Sequence, residues 1–381
     1  MIKNKTILQI VPALNTGGVE RGVLEISKYL VKNDNKSIVI TSGGLFEHHV
    51  KRHGGILYKL DVHLKNPFKW KSIRLEIESI ISKEKIDLVH VSSRIPAWII
   101  LPVIKKLKIP FITSVHTRLR RQNVFKNYYN SILIQGDLII AISKHVKENI
   151  IRMFPKVKNK VHIVYRGVDI DNFNLNNISN SRIVNQSKLL GIQDEKPTII
   201  MASRPKMWKG HLILIEALKK IEIDFQCFLI GANDGNYRFK KKLYDKINNY
   251  KLGHKVKLTS STNDIQAAFI LGDVIVMPSI APEPFGRIII EAQSLEKIVI
   301  GFNHGGISES IKDQNTGFLA VPLDANDLCK KITQALTLKT SERKKIVANA
   351  KKIVREKFSL EKMCIDTLNL YKNCIDGHLL K

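Results

Sequence analysis

Short, nearly continuous β-branched runs alternate with longer stretches of helical period, and this alternation most limits what the chain can fold into. In the first half the runs are TILQIVPAL (6–14), SIVITSG (37–43), DLVHVSS (87–93), PFITSVH (110–116), DLIIAIS (137–143) and VHIVYRGV (161–168). VERGVLEISKYLVKN (19–33) and FKWKSIRLEIESIISKEK (68–85) lie between them with helical spacing. Apolar strands separated by helices predict a parallel sheet covered on both faces. The polar stretch NLNNISNSRIVNQS (174–187) reads as an interdomain linker. The pattern then restarts with PTIIMAS (197–203), FQCFLIGA (225–232), KVKLTS (255–260), DVIVMPS (273–279), IVIGFN (298–303) and GFLAV (317–321). The expectation is two doubly wound α/β domains, residues 1–178 and 188–355, followed by a helical segment 356–381 that crosses back to the first domain, with Gly377 as its stop. In such sheets ligands bind beyond the carboxyl ends of the strands, and two facing domains would form a cleft.

Size and composition agree. At roughly 100–200 residues per domain, 381 residues suggest two domains. Lys plus Arg exceeds Asp plus Glu by 62 − 34 = 28, which favours anionic partners such as nucleotides, nucleic acid or an acidic membrane surface; a solvated lysine surface is the plainer reading. Cys227, Cys329, Cys364 and Cys374 form no CxxC pair and fit neither a zinc site nor a disulfide framework. The N-terminal MIKNKTILQIVPAL holds Gln9 and Pro12 within its apolar run, so it reads as a strand rather than a signal peptide. IPAWIILPVI (95–104) is too short to span a bilayer. A cytoplasmic protein, attached to a membrane at most by its surface, is expected.

The stretch APEPFGRIIIEAQ (281–293) concentrates chemistry: Glu283 and Glu291 stand eight positions apart with Arg287 between them. Pro284 suits a first helical turn, which would put Glu291 roughly two turns into the helix. Backbone N–H groups near Phe285, Gly286 and Arg287 would then point out of the helix end toward an anion or hydroxyl. Carboxylates accept hydrogen bonds from vicinal hydroxyls, so this pair suits sugars and ribose; a helix-dipole carboxylate and an exposed glutamate is the alternative.

Other candidates sit at expected strand ends. Arg204 ends one strand, and Lys209 with Gly210 opens the next helix, two cations suited to a diphosphate or, as the alternative, simply solvated in a lysine-rich chain. NTGGVERG (15–22) carries Gly17 and Gly18 for a tight turn and close backbone approach, but it is neither GxGxxG nor a P-loop. His116 ends PFITSVH at the ligand-binding rim, where a structural histidine is the plainer reading, and Arg118, Arg120 and Arg121 follow as contacts for an anionic acceptor or as solvated cations. GFNHGGISESI (301–311) adds a second glycine turn, Gly305 and Gly306, with Glu309 behind it.

Together these residues resemble the retaining GT-B glycosyltransferases of family four, the group 1 transferases, over nearly the whole chain. EPFGRIIIEA matches the E-x7-E motif, SRPKMWKG the Arg…Lys-Gly segment, NTGGVE the N-terminal glycine loop and SVH the segment with the active-site histidine. GGISESIKDQNTGFLAVP is similar to a further motif, as is VYRGVDIDNF, where Arg166 replaces the usual Asn.

The resemblance implies two Rossmann-like domains, an acceptor side first and a nucleotide-sugar donor side second. It implies His116, Glu283, Arg204 and Lys209 as catalytic residues, and Gly17, Gly18, Phe285, Gly286, Arg287 and Glu291 as donor-binding residues. Glu283 would face the sugar, Glu291 the ribose, and Arg204 with Lys209 the diphosphate. No metal and no cofactor is implied. The implied partners are a nucleoside diphosphate sugar, a glycan or lipid-linked acceptor of bacterial envelope synthesis such as lipopolysaccharide or capsule, and an anionic inner-leaflet surface met by FKWKSIRLEIESIISKEK through Phe68 and Trp70. Specific nucleic-acid binding lacks any motif. A GT-B nucleotide-sugar 2-epimerase, a hydrolase using Glu283 and Glu291, and a non-enzymatic basic protein are the other readings.

Overall fold

The computed structural model describes residues 2–15, 17–120 and 123–379. The chain divides into two compact units, Met1–Arg166 with Leu360–Lys381, and Gly167–Ser359.

The first unit holds a seven-stranded sheet: β1 Thr6–Ile10, β2 Lys36–Thr41, β3 Ile56–Lys59, β4 Leu88–Val91, β5 Phe111–Val115, β6 Leu138–Ala141 and β7 Val161–Ile163. Their order is β3-β2-β1-β4-β5-β6-β7, and every pairing is parallel. The order reverses between β1 and β4, the position where such sheets open a crevice. Pro12 lacks an N–H, and β1 ends two residues before it. β3 was not expected; it is a half-buried edge strand without a continuous apolar run.

The second unit holds β8 Thr198–Ala202, β9 Gln226–Ile230, β10 Val256–Thr259, β11 Val274–Met277, β12 Ile298–Phe302 and β13 Phe318–Ala320. The order is β10-β9-β8-β11-β12-β13, again parallel throughout, with its switch between β8 and β11. β8, β9, β11 and β12 are buried along their whole length, as strands covered on both faces must be.

The polar stretch at 174–187 is not a linker. It forms a short 3-10 turn, Leu175–Asn177, and the Asn180–Leu190 helix of the second unit, closed by Gly191 in the left-handed region (φ 66°). Arg182 forks onto Asp264 with two contacts of 2.7 Å, so polar side chains attach this helix to its neighbour. The passage between units falls instead at Arg166–Gly167.

The C-terminal segment also differs from expectation. One helix, Thr340–Lys357, ends before Phe358, and a second, Leu360–Leu379, runs through Gly377 rather than stopping there. Cys364, Leu368, Tyr371 and Ile375 repeat at helical spacing on the second helix and pack with Ile7, Ile26, Leu88 and Ile112 of the first unit. Tyr371, fully buried, places its hydroxyl 2.7 Å from His90 Nδ1.

The expected membrane face is partly spent on folding. The Trp70–Glu84 helix buries Ile73, Ile77, Ile80 and Ile81, leaving Phe68 (94% exposed) before it and Leu75 on its outer side. Among the described residues no helix is long and apolar enough to cross a membrane.

Tyr371→Phe should lower stability by about 1–3 kcal/mol in urea denaturation, because His90 Nδ1 loses its partner inside the core.

Candidate active site

The second unit places its candidate chemistry on the loops after β8 and β11, neighbouring strands at the switch. After β8 the chain makes a 3-10 turn, Met207–Lys209, and then Gly210 at φ 87°. A Cβ at Gly210 would lie 2.7 Å from the carbonyl carbon of Pro278, so only glycine lets the two loops touch. Ile280 donates its backbone N–H to the Trp208 carbonyl at 2.8 Å, which fixes the register between them.

That register aims Lys209 at Glu283. Lys209 Nζ donates to Glu283 Oε1 at 2.6 Å, and Ser279 Oγ donates to the same oxygen at 2.6 Å. The Lys209 and Glu283 side chains are only 15% and 6% exposed. Lys209 Nζ also stands 4.3 Å from the centre of the Trp208 ring. Neither Ser279 nor the Trp208 contact was foreseen, because both depend on which loops meet.

The second glycine turn frames this loop. Gly306 donates its N–H to the Glu283 carbonyl at 2.8 Å, and a Cβ at Gly306 would lie 2.5 Å from Phe285 Cα. Gly305 sits at φ 64°. His304 Nε2 donates to the Ser279 carbonyl at 2.7 Å. Glu309 lies on the short Ile307–Ser310 helix that follows.

The helix carrying Glu291 starts later than Pro284. It runs Arg287–Ser294, with Gly286 as its cap at φ 96°. Glu291 is therefore about one turn inside it, because the left-handed cap delays the first helical residue. Arg287 Nε lies 3.3 Å from Glu291 Oε1, an i,i+4 pair, and Glu291 is buried. Phe285 is buried edge-on against Phe358, ring centres 5.6 Å apart, so its side chain belongs to the core. Arg204 is exposed beyond β8, and the Lys209–Glu283 hydrogen bonds do not include it.

In the first unit, Gly17 precedes the Gly18–Lys32 helix with φ −89° and ψ 167°, an extended conformation open to any residue. Gly18 also lacks a positive φ, and a Cβ there would meet nothing within 4 Å. The expected tight turn is thus not the reason for these glycines; at Gly18 the missing side chain leaves open space. Thr16 of this loop, and Arg121 of the arginine run, lie outside the described residues; Arg118 and Arg120 are exposed.

His116 follows β5, and its Nε2 is buried without a hydrogen-bond partner among the described residues. Burial, the Arg166 guanidinium and His90 hold its pKa well below the usual imidazole range. His90 is pushed down to about 3, by burial first and Arg166 second, and its Nε2 lies 2.5 Å from Ser114 Oγ. Both imidazoles are therefore neutral at ordinary pH. A cavity of about 20 Å³ is lined by Gly22, His90, Ser92, Ser114, His116 and Arg166, among others. His90 was visible in DLVHVSS, but nothing in the spacing links it to Tyr371, far along the chain.

Among the described residues no group of three or more His, Cys, Asp or Glu is arranged to hold a metal ion. Taken by itself, the second unit offers an ammonium and two cation-paired carboxylates, groups that bind hydroxyls and anionic oxygens, and the first unit by itself offers neutral imidazoles.

Comparison with known proteins identifies the family. The family model described as Glycosyl transferases group 1 matches residues 184–353, and that described as Glycosyltransferase Family 4 matches residues 16–172. A crystal structure of a glycosyltransferase from Rickettsia africae is 35% identical, superposes with a TM-score of 0.91 and covers 98% of this chain and 99% of its own. An uncharacterized glycosyltransferase of Methanocaldococcus jannaschii is 26% identical over 95% of each chain. Anabaena HepE, solved with UDP and glucose, is 21% identical with a TM-score of 0.83, over 97% of this chain and 100% of its own.

Breaking the Lys209–Glu283 pair from one side should be costly. Lys209→Met should destabilise by about 3–5 kcal/mol in urea denaturation, since Glu283 is left buried with its charge unpaired, and adding Glu283→Gln should recover most of that loss.

Proposed function

The chain belongs to the family-four glycosyltransferases, and from that premise we propose that it moves a sugar from a nucleoside diphosphate sugar to a glycan or lipid-linked acceptor, with retention at the anomeric carbon and without a metal. The observation that carries this reading is the Lys209–Glu283–Ser279 contact at the ends of β8 and β11. The HepE complex with UDP and glucose, on the same GT-B architecture, supports the choice of donor class. Membership of the family disfavours the epimerase, hydrolase and non-enzymatic readings.

In the proposed reaction the bond from the anomeric carbon to the diphosphate breaks, and charge grows on the leaving phosphate oxygen. Lys209 carries three N–H donors, so it can keep its bond to Glu283 and offer another to that oxygen. Exposed Arg204 adds a second cation. Charge placed in advance where it develops is usually the largest catalytic contribution. Glu283 would accept a sugar hydroxyl, Glu291 the ribose hydroxyls, and the N–H groups at Gly286 and Arg287 an anionic or hydroxyl oxygen. The acceptor hydroxyl attacks from the face the diphosphate leaves and gives its proton to the departing phosphate oxygen, and neutral His116 orients it.

The test is a thermal-shift series with UDP, GDP, ADP and their common sugars in EDTA. One nucleoside diphosphate sugar should raise Tm in proportion to the logarithm of its concentration above Kd. A folded protein that responds to none of them, or responds only when a divalent metal is restored, overturns the proposed donor binding or its metal independence.

The acceptor side of the proposal is an envelope glycan carried on lipid, reached by docking on an anionic leaflet. The Val124–Ser131 helix of the first unit exposes Val124, Phe125 (83%) and Tyr128 beside Lys126. Tyr128 packs against Trp98 at 5.0 Å between ring centres, and Arg74 donates to the Ile99 carbonyl while facing the Trp70 ring. Aromatic rings interleaved with cations suit a lipid interface on a chain of net charge +28. Flotation should therefore be stronger with anionic than with zwitterionic vesicles and weaken for Phe125→Ser/Tyr128→Ser; indifference to lipid charge counts against docking.

A further inference from the structure

Arg166 stands where the resembled motif has Asn, and the structure gives the larger side chain a specific place. It lies three residues beyond β7 and is 7% exposed. Its guanidinium donates to the carbonyl of Gly18, at the start of the Gly18–Lys32 helix. The space it fills belongs to Gly22: a Cβ there would lie 2.6 Å from Arg166 Cζ, so residues 22 and 166 are a matched pair. The same guanidinium lines the small cavity with His116 and His90.

Given the transferase reading of His116 and the glycine loop, we propose that Arg166 is a positioning residue: seated in the gap left by Gly22, it pins the Gly17–Gly18 loop and fixes a positive charge in the small cavity that His116 also lines. The physical reasons are direct. A charge-assisted bond to a main-chain carbonyl is stronger than the neutral bond an Asn would make. A buried positive charge also disfavours the imidazolium form of a nearby histidine. The groups around His116 allow this. Burial disfavours its protonation most, and Arg166 and then His90 of β4 add to that. The Gly18–Lys32 helix lines the cavity with Val19, Gly22, Val23 and Ile26, and the Leu360–Leu379 helix with Met363 and Thr367. Of the further charges on those helices, Glu25 and Glu361 add to burial in raising the Cys364 thiol, while Arg166 opposes them. A neutral His116, whose Nε2 has no partner among the described residues, can either accept or donate a hydrogen bond with an acceptor hydroxyl; a protonated one could only donate.

The test compares Arg166→Gln, Arg166→Lys, Gly22→Ala and Gly22→Ala/Arg166→Asn in the full chain. NMR titration of His116, assigned by His116→Gln, is read beside the pH profile of kcat/KM and amide exchange at Val19 and Glu20. Removing the positive charge raises the His116 pKa, so Arg166→Gln should move its titration and the acid limb of the profile to higher pH, with roughly tenfold lower kcat/KM on that limb. Arg166→Lys should keep the titration low yet speed amide exchange, because the charge stays while the fork to Gly18 is lost. Gly22→Ala should disturb the loop in the parent and far less beside Arg166→Asn, a non-additive pair. An unchanged His116 titration in Arg166→Gln, or equal effects of Gly22→Ala in both backgrounds, overturns the proposal. Should Arg166→Gln fail to fold, the Gly22 pair decides alone. Donor-induced thermal shifts in the same variants separate the outcomes. Shifts that persist with no change at His116 refute Arg166 alone. Absence of any donor shift refutes the transferase reading, while the titration and exchange still decide the role of Arg166.

Discussion

A buried ammonium–carboxylate contact, Lys209 to Glu283, is the constraint on which the second unit's site depends. Two nearly enclosed charges are costly to desolvate, so they persist only where geometry and extra hydrogen bonds compensate. Here the compensation is visible: a 2.6 Å contact, a second donor from Ser279, and the Trp208 ring beside the ammonium. Each needs the loops after β8 and β11 to touch, and that contact needs Gly210, where a side chain would strike Pro278. The second glycine turn then clamps the far side of the Glu283 loop. Glycines that look like ligand loops in sequence thus act here on the scaffold as well.

The first unit solves a different problem. Its polar groups under the helices are neutral imidazoles and hydroxyls bridged to one another, with one guanidinium among them. The His90–Tyr371 bond ties the last helix of the chain to the centre of the first sheet, so a segment remote in sequence completes the core beneath the histidines. A charge pair in one unit and neutral imidazoles in the other are what the proposed chemistry asks of each: a diphosphate needs cations, whereas an acceptor hydroxyl needs a hydrogen-bonding group that can accept as well as donate.

Much of the fold was legible because its signals are local. Buried parallel strands must be apolar on both faces, which marks them in sequence; β8 to β13 were all anticipated, and only the half-buried edge strand β3 escaped. The error over 174–187 has the opposite cause. Its helix is attached through Arg182 and Asp264, and such a surface has the composition of a linker. The start of the Glu291 helix was misplaced because Pro284 is compatible with a first turn, while the positive φ at Gly286 is what sets the boundary.

The sequence alone determined the two parallel sheets, the strand ends as the place for chemistry, and the residue types gathered there, since periodicity and motif spacing are properties of the chain itself. Tertiary structure decided which of those residues meet. It pairs Lys209 with Glu283 and Arg287 with Glu291, leaves Arg204 exposed, and seats Arg166 against Gly18 in the gap at Gly22. Spacing along a strand or helix is fixed by covalent geometry and backbone hydrogen bonds, whereas contacts between loops depend on side-chain volume and approach, which no local pattern records.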